Sequence, residues 1–282
     1  SLKKDSVNPG FFQTLAGQKI AFYESPGKGE TLLLVHGHPV WSSYFKHQLE
    51  SGLGRKYHIV SIDFPGCGNS EPAHDPEKTY SLHGLSDVVS EVLKFLGTPC
   101  FIAGHSMGAN AALHAAFLDS RLVKGLLISG LALADSAPPE PSDHVMNPDI
   151  ALVFQKDLSD DECSRIATAA LFKQEQGIHD IIAEGLKKTD PRLRLNMLTD
   201  LNNPSHTVQH LSFLNSSTIP VVLIDGKEDF LTNLSFKKKL RFPKLWRNQL
   251  QLVENADHYL HYENPDAVNT LIGTFINENK QK

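Results

Sequence analysis

Short apolar runs recur along the chain, and helix-like stretches separate them. Several of the runs, such as TLLLV at Thr31–Val35, are hydrophobic throughout and do not alternate with polar residues. Strands that are apolar on both faces are typical of a parallel sheet covered by helices on both sides. The fold class predicted is therefore α/β. The runs predicted as strands are Lys19–Glu24, Thr31–Val35, His58–Ile62, Cys100–Ala103, Gly125–Ser129, Pro220–Ile224 and Gln249–Val253.

Helical spacing of apolar residues appears between these runs. Ser86–Leu96 ends at Gly97, a residue type that often terminates helices. Ala109–Phe117 is rich in alanine, and Asp266–Ile276 follows Pro265, which suits the first turn of a helix. The alternation of strand and helix supports the α/β prediction.

Residues 131–217 interrupt this alternation. The stretch Ala137–Pro141 is rich in proline, and no strand-like run follows until Ile219. We therefore predict an α/β core of residues 1–130 and 218–282, with residues 131–217 inserted as a helical cap or lid over an active site. Helices are predicted in the cap at Asp160–Phe172, Ile178–Lys187 and Arg192–Leu201. Its aliphatic residues are predicted to form the core of the cap in preference to an acyl pocket: Leu152, Val153, Leu171, Ile181, Ile182 and Leu186.

Composition and charge narrow the function classes. The chain has 282 residues, of which 40% are hydrophobic and 21% charged, an ordinary globular balance. A net charge of −5 gives no basis for binding nucleic acid or an anionic membrane. No apolar run approaches the roughly 18 residues that a transmembrane helix needs. Cys67, Cys100 and Cys163 lack metal-type spacing, so we expect buried free thiols in a reducing, cytoplasmic compartment. The chain begins at Ser1 and not Met, so the alternative that a leader peptide has been removed stays open.

The sequence Gly104-His105-Ser106-Met107-Gly108 joins a predicted strand to a predicted helix. In a turn this tight, a Cβ at either glycine would crowd the serine, which is held in a strained backbone conformation. The serine oxygen then lies near a helix N-terminus, where free N–H groups favour negative charge. Ser106 is therefore predicted to be a nucleophile, and the chain a serine hydrolase.

A serine hydroxyl hardly ionises at neutral pH, so Ser106 needs a general base and a group that orients it. His258 lies in a short loop after the strand Gln249–Val253. Asp229 follows the strand Pro220–Ile224, with Asp225 and Glu228 as nearby rivals. Loops at the carboxyl ends of parallel strands gather at one edge of a sheet. The order Ser106, Asp229, His258 matches that of α/β-hydrolase triads.

An oxyanion hole requires two N–H donors, which we predict to be those of Met107 and His38. The loop that supplies the second donor reads His36-Gly37-His38-Pro39-Val40-Trp41. His36 and His105 are expected to be structural, and Cys67 to be a loop residue and not a nucleophile. His206 and His210 are expected at the surface or lining a pocket. No metal site and no cofactor are predicted, because the pair His36 and His38 is not followed by further ligand-type residues.

These residues together resemble the α/β-hydrolase superfamily over nearly the whole chain. The resemblance includes the serine turn, His36-Gly37, the loop 63–70 (DFPGCGNS), Gly226-x-x-Asp229, and His258 followed by Glu263-Asn264-Pro265. It implies a mostly parallel eight-stranded sheet with a cap inserted after the sixth strand. The serine at this turn argues against haloalkane dehalogenases and epoxide hydrolases, whose members carry aspartate there.

A closer resemblance is to α/β-hydrolase-type acyl-homoserine lactonases, which open the lactone ring of quorum-sensing signals without a metal. The similar stretches are residues 75–81, 121–130 and 242–257. The resemblance places the catalytic acid at Asp229. It also shows departures: His38 stands where Asn is frequent, Met107 where Trp stands, and a cap tyrosine is replaced near Ile166. Trp41 and Ile166 are expected to line the substrate pocket.

The predicted function is hydrolysis of a small ester or lactone, including an acyl-homoserine lactone, through an acyl-enzyme. A general carboxylesterase, a carbon–carbon bond hydrolase and a cofactor-free perhydrolase would use the same triad. A ligand receptor on a hydrolase scaffold is the alternative from another class. The protein is expected to be a monomer or homodimer that binds no nucleic acid.

Overall fold

The computed structural model describes residues 6–135, 147–201 and 209–281. Eight strands form one sheet in the order β1-β2-β4-β3-β5-β6-β7-β8. β1 and β2 pair antiparallel, β2 pairs antiparallel with β4, and all further neighbours are parallel. The predicted α/β-hydrolase architecture is thereby confirmed. The strands are β1 (Asn8–Gln13), β2 (Lys19–Glu24), β3 (Thr31–Val35), β4 (His58–Ile62), β5 (Cys100–His105), β6 (Val123–Ser129), β7 (Val221–Gly226) and β8 (Gln251–Val253).

The described α-helices connect these strands or follow them. Ser81 caps the N-terminus of α4 (Leu82–Leu96), where its side chain accepts a hydrogen bond from the Gly84 N–H, and Gly97 caps the C-terminus with a φ of 68°. Both ends therefore satisfy backbone groups that a helix leaves unpaired. The helices are α1 (Lys46–Leu49), α2 (Gly52–Lys56), α3 (Pro76–Thr79), α4 (Leu82–Leu96), α5 (Met107–Leu118), α6 (Pro148–Ala151), α7 (Asp160–Ala170), α8 (Gln176–Lys188), α9 (Pro191–Leu201), α10 (His210–Ser216), α11 (Leu234–Lys239), α12 (Leu260–Glu263) and α13 (Pro265–Asn279).

The hydrophobic core lies on both faces of the sheet. Along β3, Leu33 and Val35 point into one cluster with α4 and α5, whereas Leu32 and Leu34 point into a second cluster with α13. Every residue of β3 is buried. This two-sided burial explains why the central strands are apolar throughout.

The sequence analysis missed β1 and misplaced the ends of some strands and helices. β1 contains Pro9 and Gly10 and alternates between exposed and partly exposed residues, because it lies at the edge of the sheet and pairs only with β2. A half-exposed edge strand lacks the apolar run that marks the central strands. β5 extends to His105 and α5 begins at Met107, so the turn between them consists of Ser106 alone.

Between β6 and β7 the described residues form helices α6–α10 and no strand. We call this part of the chain the helical segment. Cys163, Ile166, Ile178 and Ile182 of the segment belong to the same hydrophobic cluster as α13. The predicted linker Ala137–Pro141 lies outside the described residues, and the division into core and cap stays a prediction. No helix among the described residues is long and apolar enough to cross a bilayer.

Candidate active site

Ser106 occupies a sharp turn between β5 and α5. Its φ is 54° and its ψ −118°, in a region that side-chain-bearing residues rarely adopt, and its N–H donates to the Ser129 carbonyl at 2.8 Å. A Cβ on Gly104 would lie 2.5 Å from Ala109 Cα, and one on Gly108 would lie 2.2 Å from the Val35 carbonyl oxygen. Both glycines are therefore required for the turn, as the sequence pattern predicted.

His258 and Asp229 form a buried pair beside this turn. Their Nδ1 and Oδ2 atoms are 2.9 Å apart, and the other carboxylate oxygen of Asp229 accepts the Leu231 N–H at 2.8 Å. With Nδ1–H donating to the carboxylate, Nε2 of His258 is the nitrogen that can accept a proton. Burial lowers the pKa of His258, but the charge and hydrogen bond of Asp229 outweigh it, so the pKa lies above 6.5.

The pKa of Asp229 shifts in the opposite direction. Burial raises the pKa of its carboxyl, but the attraction and hydrogen bond of His258 are the next largest influences, and the pKa falls below 3.8. At neutral pH this carboxyl is therefore ionised. It can both orient the imidazole and stabilise its protonated form.

The two rival carboxylates lie elsewhere. Asp225 makes a buried ion pair with Lys237, with 2.7 Å between Oδ2 and Nζ, and it accepts the Gly130 N–H at 2.7 Å. Both partners of the ion pair are 1% exposed. Glu228 is exposed at the surface. Among these three carboxylates, Asp229 is the one hydrogen-bonded to His258.

A cavity of about 430 Å³ opens over the serine turn. Ser106, Met107, His38 and His258 line it, so the structure brings these four predicted site residues together. Ser106 is partly exposed, and the N–H of Met107 belongs to the first turn of α5, where it has no intrahelical partner. The remaining wall is largely apolar and includes Leu82, Leu131, Ile150, Phe154, Leu193 and Met197.

The helical segment contributes much of this wall. Val153 and Ile182 line the cavity, whereas Leu171 and Leu186 are buried in the hydrophobic cluster. Leu152 and Ile181 pack on that cluster from partly buried positions. The six aliphatic residues are thus divided between cavity wall and core.

Of the two predicted pocket residues, Ile166 lines the cavity and Trp41 does not. The ring of Trp41 lies against α8, where Gly185 leaves room for it and the Lys188 ammonium lies 5.7 Å from the ring centroid. The expectation that Trp41 lines the pocket does not match this position, because the chain turns the ring towards α8.

His36 and His105 have structural partners, as expected. The Phe64 N–H donates to Nε2 of His36 at 3.0 Å, so Nδ1 carries the proton and donates to the Gly37 carbonyl at 2.8 Å. Nε2 of His105 lies 2.7 Å from the His258 carbonyl oxygen and therefore donates to it. His206 lies outside the described residues.

The three cysteines are free and buried, as predicted. Burial raises the pKa of each thiol. The thiolate, which is the nucleophilic form, is therefore disfavoured at Cys67, as expected for a loop residue.

The sequence analysis missed a carboxyl pair next to His258. Oδ2 of Asp257 accepts the N–H of Phe172 at 2.9 Å, which links the histidine loop to the helical segment. The Asp257 N–H donates to Oε1 of Glu263 at 2.9 Å. Burial, followed by the hydrogen bond and charge of Asp257, raises the pKa of Glu263 to about 9. Glu263 belongs to the family ending described above, but no sequence pattern indicates that Asp257 is its partner.

Two polar residues of the cavity wall were also missed. Asn110 interrupts the alanine-rich start of α5, and that interruption was the available signal. Arg194 of α9 is 4% exposed, and its guanidinium donates to the backbone carbonyls of Gln155, Leu186 and Lys156. His210 lines the cavity, within the range of positions expected for it.

The sheet, the serine turn and the His258–Asp229 pair define a hydrolase of the α/β class. The chain belongs to the alpha/beta hydrolase family, whose sequence profile matches residues 32–271. It is 23% identical to AB hydrolase superfamily protein YisY of Bacillus subtilis, over 91% of this chain and 95% of that protein. It is 22% identical to epoxide hydrolase 4 of Mus musculus, over 95% of this chain and 79% of that protein.

Solved structures agree with this assignment. N-acyl homoserine lactonase AidH, in a variant complexed with N-hexanoyl homoserine lactone, superposes with a TM-score of 0.87 and is 26% identical. The match covers 97% of this chain and 99% of that one. An esterase from Exiguobacterium antarcticum superposes with a TM-score of 0.79 and is 16% identical. The match covers 96% of this chain and 100% of the esterase, which therefore shares the fold.

Proposed function

We propose that the protein is a serine hydrolase that cleaves an ester or lactone through an acyl-enzyme. The observation that carries the proposal is the placement of Ser106 on a strained turn in the same cavity as His258, with Asp229 hydrogen-bonded behind the imidazole. A serine alone is unreactive at neutral pH, and this arrangement supplies both the base and the group that orients it.

In the proposed reaction, Nε2 of His258 takes the proton of the Ser106 hydroxyl while Oγ attacks the carbonyl carbon. The carbonyl π electrons move to oxygen, and the N–H groups of Met107 and His38 stabilise the resulting oxyanion. The oxyanion collapses, the C–O bond breaks, and the imidazolium gives its proton to the departing alcohol oxygen. Water, deprotonated by His258, then attacks the acyl-enzyme and releases the acid.

The raised pKa of His258 and the lowered pKa of Asp229 support these roles. A neutral imidazole that gains a proton in the transition state is stabilised by an ionised carboxylate at its other nitrogen. Ser106 also favours an ester or lactone over an epoxide, although epoxide hydrolase 4 is among the relatives. An oxygen nucleophile with a base and two N–H donors is the arrangement that acyl transfer requires.

We further propose that acyl-homoserine lactones are among the substrates. Support comes from the likeness to N-acyl homoserine lactonase AidH over nearly the whole chain and from the largely apolar cavity, which suits an acyl chain. In this proposal the helical segment acts as a cap, because its residues Ile166, Val153 and Ile182 line the same cavity as Ser106.

The test is turnover by the wild type and by Ser106→Ala. We expect the wild type to hydrolyse p-nitrophenyl esters and acyl-homoserine lactones with multiple turnovers and to react with a fluorophosphonate probe. Ser106→Ala should abolish turnover and labelling while leaving thermal stability nearly unchanged. Ser216→Ala, on the exposed side of α10, is the matched control and should behave as wild type. Undiminished turnover by Ser106→Ala would refute the proposal, and a single reaction without turnover would indicate a receptor.

A further inference from the structure

The largely apolar cavity also carries a buried polar pair beyond the serine turn, in addition to His38 and Arg194. Asn110 of α5 is 5% exposed and His210 of α10 is 7% exposed, and both line the cavity. Oδ1 of Asn110 and Nε2 of His210 are 2.7 Å apart. Polar side chains buried this deeply normally have all their hydrogen-bonding groups paired.

The proton positions in this pair follow from a backbone contact. The N–H of Ala134 donates to Nδ1 of His210 at 3.2 Å, so that nitrogen carries no proton. Burial lowers the pKa of His210 to about 4, and at neutral pH the imidazole is therefore uncharged with its proton on Nε2. That N–H must donate to an oxygen. The Asn110 amide is consequently fixed with Oδ1 towards His210.

The amide nitrogen of Asn110 is left without a hydrogen-bond partner among the described residues, although it is buried. An unpaired buried donor lowers stability. Its presence in a cavity wall therefore indicates that a bound ligand supplies the missing hydrogen-bond acceptor. The position of His210 is fixed further by its backbone N–H, which donates to the Ala134 carbonyl at 3.1 Å. The donor is therefore preorganised.

The position of this donor relative to the nucleophile restricts what it can bind. Asn110 lies four residues after Ser106, and its N–H donates to the Ser106 carbonyl at 3.1 Å, as in a helical turn. Residues four apart on a helix lie on the same face, with Cβ atoms about 5–6 Å apart. An acceptor that meets the amide would therefore lie a few bonds from the carbonyl that Ser106 attacks.

We propose that Nδ2 of Asn110, oriented by His210, is a specificity-determining donor for a second carbonyl group of the substrate. This inference rests on the proposed function and deepens it. The substrate class is an ester or lactone with an amide or keto oxygen two to four bonds from the scissile carbonyl, such as an N-acyl α-amino lactone. His210 acts as a positioning residue, because it contacts the amide of Asn110 and no reacting atom.

The experiment compares two lactones of equal length: an N-acyl homoserine lactone and an α-alkyl-γ-butyrolactone that lacks the second carbonyl. Asn110→Asp keeps an oxygen for His210 and removes the NH2 donor. We expect kcat/KM to fall about tenfold for the acyl-homoserine lactone, mainly through KM, and less than about threefold for the alkyl lactone. Asn110→Leu, which removes the amide altogether, should show the same selectivity change if Asn110→Asp fails to fold. Asn215→Asp, the same change on the exposed face of α10, should leave both values unchanged.

Equal losses on both lactones in the two Asn110 variants would show that Asn110 is merely structural and would overturn the inference. So would a wild-type enzyme that hydrolyses both lactones with equal kcat/KM. If the wild type hydrolyses a p-nitrophenyl ester but shows no preference for the second carbonyl, the inference alone fails. If the wild type hydrolyses none of the three compounds, the proposed function fails and the inference with it.

Discussion

Asp225 lies near the end of β7 and Asp229 three residues beyond that strand, and the two buried aspartates have different partners. Replacing Asp229 by asparagine should therefore lower activity, whereas replacing Asp225 should lower stability. Asn is nearly isosteric with Asp, so each change removes a charge while leaving side-chain volume intact. Asp229 is hydrogen-bonded to His258, whereas Asp225 is ion-paired with Lys237. The sequence analysis ranked both as candidates for the catalytic acid, and this comparison decides between them.

The expected sizes follow from these contacts. Asp229→Asn removes the charge that stabilises the imidazolium of His258 and permits the wrong tautomer, which in a well-studied serine protease costs about 10⁴-fold in kcat. Asp225→Asn removes the ion-pair partner of Lys237, which stays buried beside the Leu131 carbonyl, 3.0 Å away. Breaking such a pair costs about 3–5 kcal/mol, or a fall in Tm of about 10 °C in a chain of this size.

The assay is kcat on a p-nitrophenyl ester together with Tm by differential scanning calorimetry, for both variants. Asp229→Asn should lose about four orders of magnitude in kcat with a small change in Tm. Asp225→Asn should lose stability and keep kcat within about tenfold of the wild type at a temperature where it is folded. The reverse pattern, with Asp225→Asn inactive and Asp229→Asn active, would refute the assignment of Asp229.

Three further predictions concern pH and backbone space. Because His258 must be unprotonated to act as a base and its pKa lies above 6.5, kcat/KM should fall as the pH drops through a value above 6.5; a midpoint at or below pH 6.5 would contradict this. The pKa of Glu263 is about 9 in the folded protein against an ordinary 4.5, so folding becomes less favourable as the pH rises between these values. Glu263→Gln removes this dependence, and its Tm should exceed that of the wild type by more at pH 8 than at pH 5; a constant difference would contradict the reasoning. Gly108→Ala places a Cβ 2.2 Å from the Val35 carbonyl oxygen and should lower Tm and activity strongly, whereas Gly52→Ala, whose Cβ meets nothing closer than 3.7 Å, should leave both unchanged.

The central strands were predictable because each is covered on two sides. Thr31–Val35 and His58–Ile62 were placed with the observed ends, since a fully buried strand must be apolar at nearly every position. The serine turn was predictable for a different reason. Its two glycines are dictated by backbone atoms only a few residues away or on the neighbouring strand.

The rest depends on contacts between segments distant in sequence, which leave no local pattern. Asp257 meets the N–H of Phe172 across 85 residues of sequence, and His210 meets Asn110 across 100. The position of Trp41 likewise involves a residue far along the chain, since a Cβ on Gly185 of α8 would lie 3.1 Å from the Trp41 ring. Edge strand β1 escaped prediction because only half of its surface is covered.

The hydrogen bond from His105 to the His258 carbonyl has a consequence for how such a protein can diversify. It joins the residue before the nucleophile to the loop of the base across 153 residues of sequence, at 2.7 Å. The intervening helical segment is hydrogen-bonded to that loop through Asp257, whereas the bond from His105 joins the serine turn to the loop directly. We therefore expect that replacements within the helices that line the cavity can alter which substrate binds without moving Ser106 and His258 relative to each other. The replacement of a cap tyrosine near Ile166, which the resemblance to lactonases implies, would be a change of this kind.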